Sequence, residues 1–126
     1  MKVIVPDSSV IVDGRITKLI EESKIEKVKI IVPEPVVAEL EFQANQGRET
    51  GHSGLQELQA LRKLVDEGKI ELEYIGERPS LEKIKLAPGG EIDAMISDFA
   101  RNLNATLLTS DKVQAEVSKA YGVETV

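Results

Sequence analysis

The chain has no cysteine, which excludes disulfide frameworks, thiolate zinc sites and cysteine nucleophiles. Its single histidine, His52, excludes zinc sites built on several imidazoles. Tryptophan is absent and aromatic residues make up only 3%. The core must therefore be aliphatic. A protein that reads single strands by stacking bases on rings would be expected to carry more of them. No uninterrupted apolar run is long enough to span a bilayer. The opening from Met1 to Asp7 is a short apolar run soon interrupted by polar residues, unlike a secretory leader. The composition points to a soluble, cytoplasmic protein with no membrane partner.

What is present is an ordinary globular mix, 41% hydrophobic and 30% charged over 126 residues. That length suits one compact domain, residues 1–126, with a core large enough to need no staples. No internal repeat or interdomain linker interrupts it. The formal net charge is −6, which argues against a broadly basic nucleic-acid binder. It does not exclude an enzyme acting on nucleic acid, because acids gathered around a divalent ion lower the net charge while the ion reverses its local sign.

Strand and helix patterns alternate along the chain. Lys2–Pro6 and Val28–Pro33 read as short apolar strands, and Arg15–Ser23 carries Ile16, Leu19 and Ile20 at helical spacing. Pro35 suits the first turn of a helix that continues through Val36, Val37, Leu40 and Ala44. Gly47, Gly51 and Gly54 suggest a polar loop around Arg48 and His52. A helix with Leu55, Leu58, Leu61, Leu64 and Val65 follows, ended by Gly68. Ile70–Ile75 reads as a strand with a partly wet face, near an edge. A short helix is expected over 79–86, a turn at 88–90 and a long amphipathic helix over 92–103. Ala105–Thr109 reads as a strand, Lys112–Tyr121 as a helix capped by Gly122, and residues 123–126 as a last strand. Such alternation implies parallel pairing with helices on both faces.

Open parallel sheets build their sites at the carboxyl ends of strands. Asp7 and Asp111 each follow a predicted strand and should reach the same rim. Each could equally be a helix N-cap or a turn residue. Asp93 and Glu91 border the stripe of the 92–103 helix, and could simply stabilise its positive end. Glu39 and Glu41 flank the stripe after Pro35, where a solvated face is the commoner fate. Periodicity does not choose within either pair. Converging carboxylates repel one another unless a cation removes the penalty. Mg²⁺ and Mn²⁺ prefer oxygen ligands, and a pair of such ions supports in-line attack of water on a phosphodiester without histidine or cysteine.

Four segments resemble the motifs of PIN domains, in the same order and over nearly the whole chain. They are Val5-Pro6-Asp7-Ser8-Ser9-Val10-Ile11-Val12-Asp13-Gly14, Ile31–Leu40, Gly90-Glu91-Ile92-Asp93-Ala94 and Leu107-Leu108-Thr109-Ser110-Asp111. The resemblance implies a three-layer α/β/α sandwich with a central parallel sheet of four to five strands. It implies a Mg²⁺- or Mn²⁺-dependent ribonuclease whose metal site and catalytic acids are Asp7, Glu39, Asp93 and Asp111. Ser8 and Thr109 become candidates to orient carboxylates or waters. For Ser9, ordinary turn hydrogen bonding is the expectation. The run Asp-Ser-Ser-Val-Ile-Val-Asp-Gly-Arg-Ile, with the Arg48–Gly54 segment, most resembles archaeal PIN domains joined to a hexameric P-loop ATPase. PIN–TRAM proteins have a similar opening. No G-x-x-x-x-G-K-[ST] occurs in this chain, so any ATPase would be a separate, attached domain. The resemblance thus implies RNA as partner, an N-terminal domain of a longer protein, and a homo-oligomer, as a dimer or as a hexamer through an attached ATPase.

Other residues are weighed against plain solvation. Arg48 is a candidate phosphate contact; Arg62 and Lys63 fit an exposed surface better. Asp13 suits a turn before Gly14, and His52 is dispensable where a metal ion activates water. The alternative to a nuclease is a catalytically weak module for nucleic-acid binding or assembly. A phospho-acceptor receiver domain also has acids at strand ends. It would need adjacent acids after strand one and an Asp after Ile70–Ile75, whereas Ser8 follows Asp7 and Gly76 and Glu77 follow Ile75.

Overall fold

The computed structural model describes residues 2–22, 28–76, 96, 98, 100–120, 122 and 123. The expectations for 79–86, 88–90, Glu91 and Asp93 lie outside them, as does most of the 92–103 helix. Ile96, Asp98 and Ala100–Asn102 are helical, with Ile96 and Ala100 fully buried one turn apart and Asp98 exposed. That matches an amphipathic helix.

Strands β1 (Lys2–Pro6), β2 (Val28–Pro33), β3 (Glu71–Ile75) and β4 (Thr106–Leu108) form one parallel sheet in the order β3-β2-β1-β4. Lys2 pairs with Val28, Ile4 with both Ile30 and Thr106, and Ile30 with Leu72. Between and after the strands come helices α1 (Ser8–Val12), α2 (Arg15–Glu21), α3 (Glu34–Asn45), α4 (Glu49–Asp66) and α5 (Lys112–Ala120). The result is the expected α/β fold, a four-stranded parallel sheet flanked by helices. The expected fifth strand is not seen at Val123, a buried residue outside any strand, and 124–126 lie beyond the described residues.

The two central strands are wholly aliphatic where they are buried. Val5, Ile30, Val32 and Leu107 are fully shielded, and Val10, Ile11, Val36, Leu40 and Leu61 cover them from the helices. Strand β3 is an edge, as its alternating sequence suggested. Glu71, Glu73 and Tyr74 are exposed, and Glu73 pairs with Lys29 of β2 at 2.9 Å. That hydrogen bond and charge hold the Lys29 ammonium above its ordinary pKa.

Two local features depart from the sequence pattern. Residues 49–54 are not a loop but the first turns of the 18-residue helix α4. Gly51 and Gly54 are buried there because α3 crosses too closely for a side chain. A Cβ on Gly51 would lie 2.2 Å from the Ala44 amide nitrogen and 2.6 Å from the Leu40 carbonyl oxygen. One on Gly54 would lie 2.5 Å from Leu40 Cδ2. Glycine usually weakens a helix, yet it is required here by packing. The second is α1, which has no counterpart in the sequence reading because five residues are too few to show a periodicity. It is capped by Asp7 and followed by Gly14 at φ +68. Helix α5 falls where expected, but buries Gln114 and Ser118 and leaves Val113 and Val117 exposed.

Candidate nuclease site

The strand order fixes where a site can form. From β1 the chain runs outward to β2 and β3, then returns to place β4 on the other side of β1. The crevice of an open parallel sheet lies at that reversal, beyond the carboxyl ends of β1 and β4. Asp7 follows β1 directly, and Thr109, Ser110 and Asp111 follow β4. The Asp7 N–H still donates to the Leu108 carbonyl at 3.0 Å, so the two strand ends leave the sheet side by side.

Asp7 is 1% exposed and caps α1. Its Oδ1 accepts from the Val10 N–H at 3.1 Å and the Ser9 hydroxyl at 2.6 Å. Its Oδ2 accepts a short hydrogen bond from the Thr109 hydroxyl. Thr109 Oγ1 in turn accepts from the Asp111 N–H at 3.0 Å, so one hydroxyl joins the two aspartate loops. Asp111 is exposed and sits at the start of α5. Its Oδ1 accepts from the Val113 N–H at 2.9 Å and the Gln114 N–H at 3.3 Å. Ser9 links the loops a second time, accepting from the Ser110 N–H at 3.1 Å. The Ser110 hydroxyl accepts from Arg15 Nη1 at 2.9 Å.

Glu39 is half-buried on α3, the helix that follows β2, while Glu41 is exposed. Glu39 Oε1 accepts from Gln43 Nε2 at 3.4 Å, and Gln43 Oε1 accepts from the Thr50 hydroxyl at 2.7 Å. Gln43 and Thr50 line a groove of about 270 Å³ with Ser8, Ser9, Val12, Asp13 and Arg48. Arg48, exposed at the N-cap position of α4, forms one wall. His52, Arg62 and Lys63 lie exposed on α4, and Arg62 reaches Asp66 at 3.8 Å.

The structure thus ties Asp7, Thr109 and Asp111 into one hydrogen-bonded unit and puts Ser8 and Arg48 on the neighbouring groove. It brings no three acids together among the described residues, and Asp93 is not one of these. Ser9 needs the opposite reading from the one expected: it, not Ser8, is the serine bound to Asp7. The Ser8 hydroxyl makes no hydrogen bond among the described residues. The sequence reading also passed over Gln43, Ser110, Arg15 and the buried Glu57 of α4. Glu57 accepts from the Thr17 hydroxyl at 2.7 Å and the Thr17 N–H at 3.2 Å, capping α2, whose own N-cap residue Gly14 has no side chain. Glu57 lies within the apolar stripe of α4, and a carboxylate in that position was the available signal.

The donor set suits a hard cation. A carboxylate offers about four lone-pair sites. Asp7 uses two on Oδ1 and one on Oδ2, and Asp111 uses two on Oδ1 only. Oxygen capacity therefore remains on both Oδ2 atoms.

A parallel α/β fold with aspartates at its switch point is common to several enzyme classes, and similarity to known proteins gives the family. Residues 4–120 match the PIN domain. The chain belongs to the PIN domain family, whose members are generally nucleases that use divalent metal ions. It is similar to an uncharacterized KH and PIN-domain containing protein of Methanocaldococcus jannaschii, 52% identical over 118 residues, which are 94% of this chain and 18% of that protein. It is also similar to an uncharacterized PIN and TRAM-domain containing protein of Thermus thermophilus, 31% identical over 123 residues, 94% of this chain and 32% of the relative. The chain therefore spans less than a third of either relative. A solved domain of a functionally unknown protein from Methanocaldococcus jannaschii superposes with a TM-score of 0.94 at 50% identity, over all of this chain and 90% of that one. The names of the two relatives pair the PIN domain with KH or TRAM. Neither names the ATPase that the sequence resemblance implied. No described helix is long and apolar enough to cross a membrane.

Proposed function

We propose that this chain is a Mg²⁺- or Mn²⁺-dependent endoribonuclease that hydrolyses single-stranded RNA. The observation that carries the reading is the Thr109 hydroxyl, which joins Asp7 and Asp111 at the switch point of the sheet. Asp7 and Asp111 would hold the ion through their Oδ2 atoms, with Glu39 from α3 and Asp93 completing the set. A bound divalent ion supplies an activated water and neutralises charge on the leaving oxygen.

The protein's own contribution is positioning. Ser9, Val10 and Thr109 fix the Asp7 carboxylate in one orientation before any ligand arrives. The backbone of α5 fixes Asp111 in the same way. Hydrolysis adds the water oxygen to phosphorus as the bond to the leaving sugar oxygen breaks, giving a phosphomonoester and a hydroxyl. Arg48, on the groove beside Ser9, offers a cation to the RNA backbone.

The second reading is a PIN module of weak activity that binds nucleic acid for a larger protein, or assembles it through an attached ATPase. The KH domain of one relative favours the nucleic-acid version, since KH modules clamp single-stranded nucleotides. Calorimetric titration with Mn²⁺ on wild type and Asp7→Asn, with cleavage of a fluorescent single-stranded RNA on the same samples, separates the readings. Binding and cutting that both vanish in the variant support the nuclease. Binding without cutting supports the module, and no Mn²⁺ binding by wild type refutes the metal mechanism.

A further inference from the structure

Arg15 is the first residue of α2, exposed, and unpaired with any carboxylate among the described residues. In a chain with 22 acidic and 16 basic residues that is a notable vacancy. Its one side-chain hydrogen bond among the described residues goes to a neutral hydroxyl, Ser110 Oγ at 2.9 Å, which leaves four of its five N–H donors unused by those residues. Arg15 belongs to neither the metal-binding acids nor the wall formed by Arg48.

Three consecutive hydrogen bonds fix where this guanidinium lies. Arg15 Nη1 donates to Ser110 Oγ, the Ser110 N–H donates to Ser9 Oγ at 3.1 Å, and the Ser9 hydroxyl donates to Asp7 Oδ1 at 2.6 Å. The backbone beneath it is fixed independently. Glu57, 6% exposed, holds both the N–H and the hydroxyl of Thr17, two residues along α2. Beyond Arg15 a depression of about 420 Å³ continues along α2, lined also by Lys18, Leu19 and Glu22. Ser9 itself also lines the groove walled by Arg48.

A site built of acids repels the phosphates it must approach, and cations at its rim have to offset this. A guanidinium fork matches two phosphate oxygens at once, and an arginine without an acid partner gives up no ion pair to do so. We propose that Arg15 anchors a backbone phosphate of the RNA next to the one that is cut, so that Arg15 and Arg48 bracket the reacting group. The proposal rests on the nuclease reading above.

The test is binding of a fluorescein-labelled oligouridylate by anisotropy as a function of KCl concentration. It is carried out at constant Mg²⁺ in the Asp7→Asn background, where the RNA stays intact. A single phosphate contact on a single strand adds about 0.7 to the slope of log affinity against log salt. Arg15→Gln, which keeps a donor for Ser110 but loses the charge, should bind about tenfold more weakly and lose that increment of slope. Arg15→Lys should keep the slope, and so should Ser110→Ala, which removes the tie and keeps the charge. Thermal melts of each variant confirm that it is folded. Unchanged affinity and slope in Arg15→Gln, while wild type cuts RNA, would refute the Arg15 proposal and leave the nuclease reading intact. No RNA binding in this background, together with no cutting by wild type, would remove both.

Discussion

Replacing Asp7 by alanine and by asparagine should separate its structural and chemical roles. Alanine removes the acceptor for three donors, the Ser9 hydroxyl, the Val10 N–H and the Thr109 hydroxyl. Loss of an N-cap costs about 1 kcal/mol. Stranding the other donors of a buried carboxylate costs about 2 kcal/mol more, because Thr109 is itself buried. The sum, about 3 kcal/mol, lowers the Tm of a chain this long by about 10 °C. Asparagine can keep Oδ1 as acceptor for Ser9 and Val10. Its amide then donates to Thr109 Oγ1, whose own hydrogen turns to Gln114 Oε1, 3.5 Å away. That rearrangement serves every donor that Asp7 served and strands only one hydrogen of the new amide, so Asp7→Asn should cost about 1 kcal/mol, or about 4 °C. Both variants should lose RNA cleavage, which is measured beside the melts by scanning calorimetry. An alanine variant that melts within 2–3 °C of wild type (~1 kcal/mol or less) refutes the buried hub. An asparagine variant that cuts RNA at the wild-type rate refutes the catalytic carboxylate.

Gly51→Ala should destabilise by more than about 2 kcal/mol in urea unfolding, since its Cβ meets the backbone of α3. Gly54→Ala meets only the Leu40 side chain and should cost less; equal or increased stability in both would contradict the close crossing of α3 and α4. Glu57→Ala should cost about 2 kcal/mol by uncapping α2, and Glu57→Gln about half of that, both read from urea midpoints. Mn²⁺ at about a hundredfold over its Kd should raise wild-type stability by about 2.7 kcal/mol and leave Asp7→Asn unmoved, as judged by melts with and without EDTA. At alkaline pH, Lys29 is held above its ordinary 10.5 by Glu73, and Tyr74 above 10.0 by burial and by Glu34. Both contributions are complete below the unfolded values and are lost as pH rises through the folded ones. The urea midpoint should therefore fall above pH 10, and Glu73→Gln should make that fall shallower; an unchanged fall would leave Lys29 without a part in it.

The strands were legible because aliphatic runs such as Val28–Pro33 have no other stable use, and the edge position of β3 because Glu71 and Glu73 alternate with apolar neighbours. The helical glycines were not legible. Gly51 and Gly54 carry the signature of a loop, and only the approach of Leu40 and Ala44 turns that signature into a packing requirement. Helix α1 was hidden by its length, and Glu57 by the convention that a glutamate belongs to the wet face of its helix. Within the site, the rim shared by Asp7 and Asp111 followed from parallel pairing, with each aspartate just past the carboxyl end of a strand. Which of the two adjacent serines turns back toward Asp7 was not legible, because it depends on the first turn of α1, and that five-residue helix left no periodicity to read.

For the two aspartates, capping a helix and serving a site are compatible roles at the level of atoms, because each carboxylate has two oxygens and capping engages Oδ1. A parallel strand that feeds a helix leaves unpaired N–H groups at its carboxyl end, so the residue that caps the helix and the residue that faces the crevice are the same one. Asp7 and Asp111 both use Oδ1 to satisfy those groups. Capping is what holds each side chain still, and it leaves Oδ2 turned to other work. For Asp7 that atom meets the Thr109 hydroxyl; for Asp111 it accepts no hydrogen bond among the described residues. A residue-level test such as truncation to alanine therefore cannot divide stability from chemistry here. A substitution that replaces one oxygen and keeps the other does, and this is why the asparagine variants at both positions carry the most information about the site.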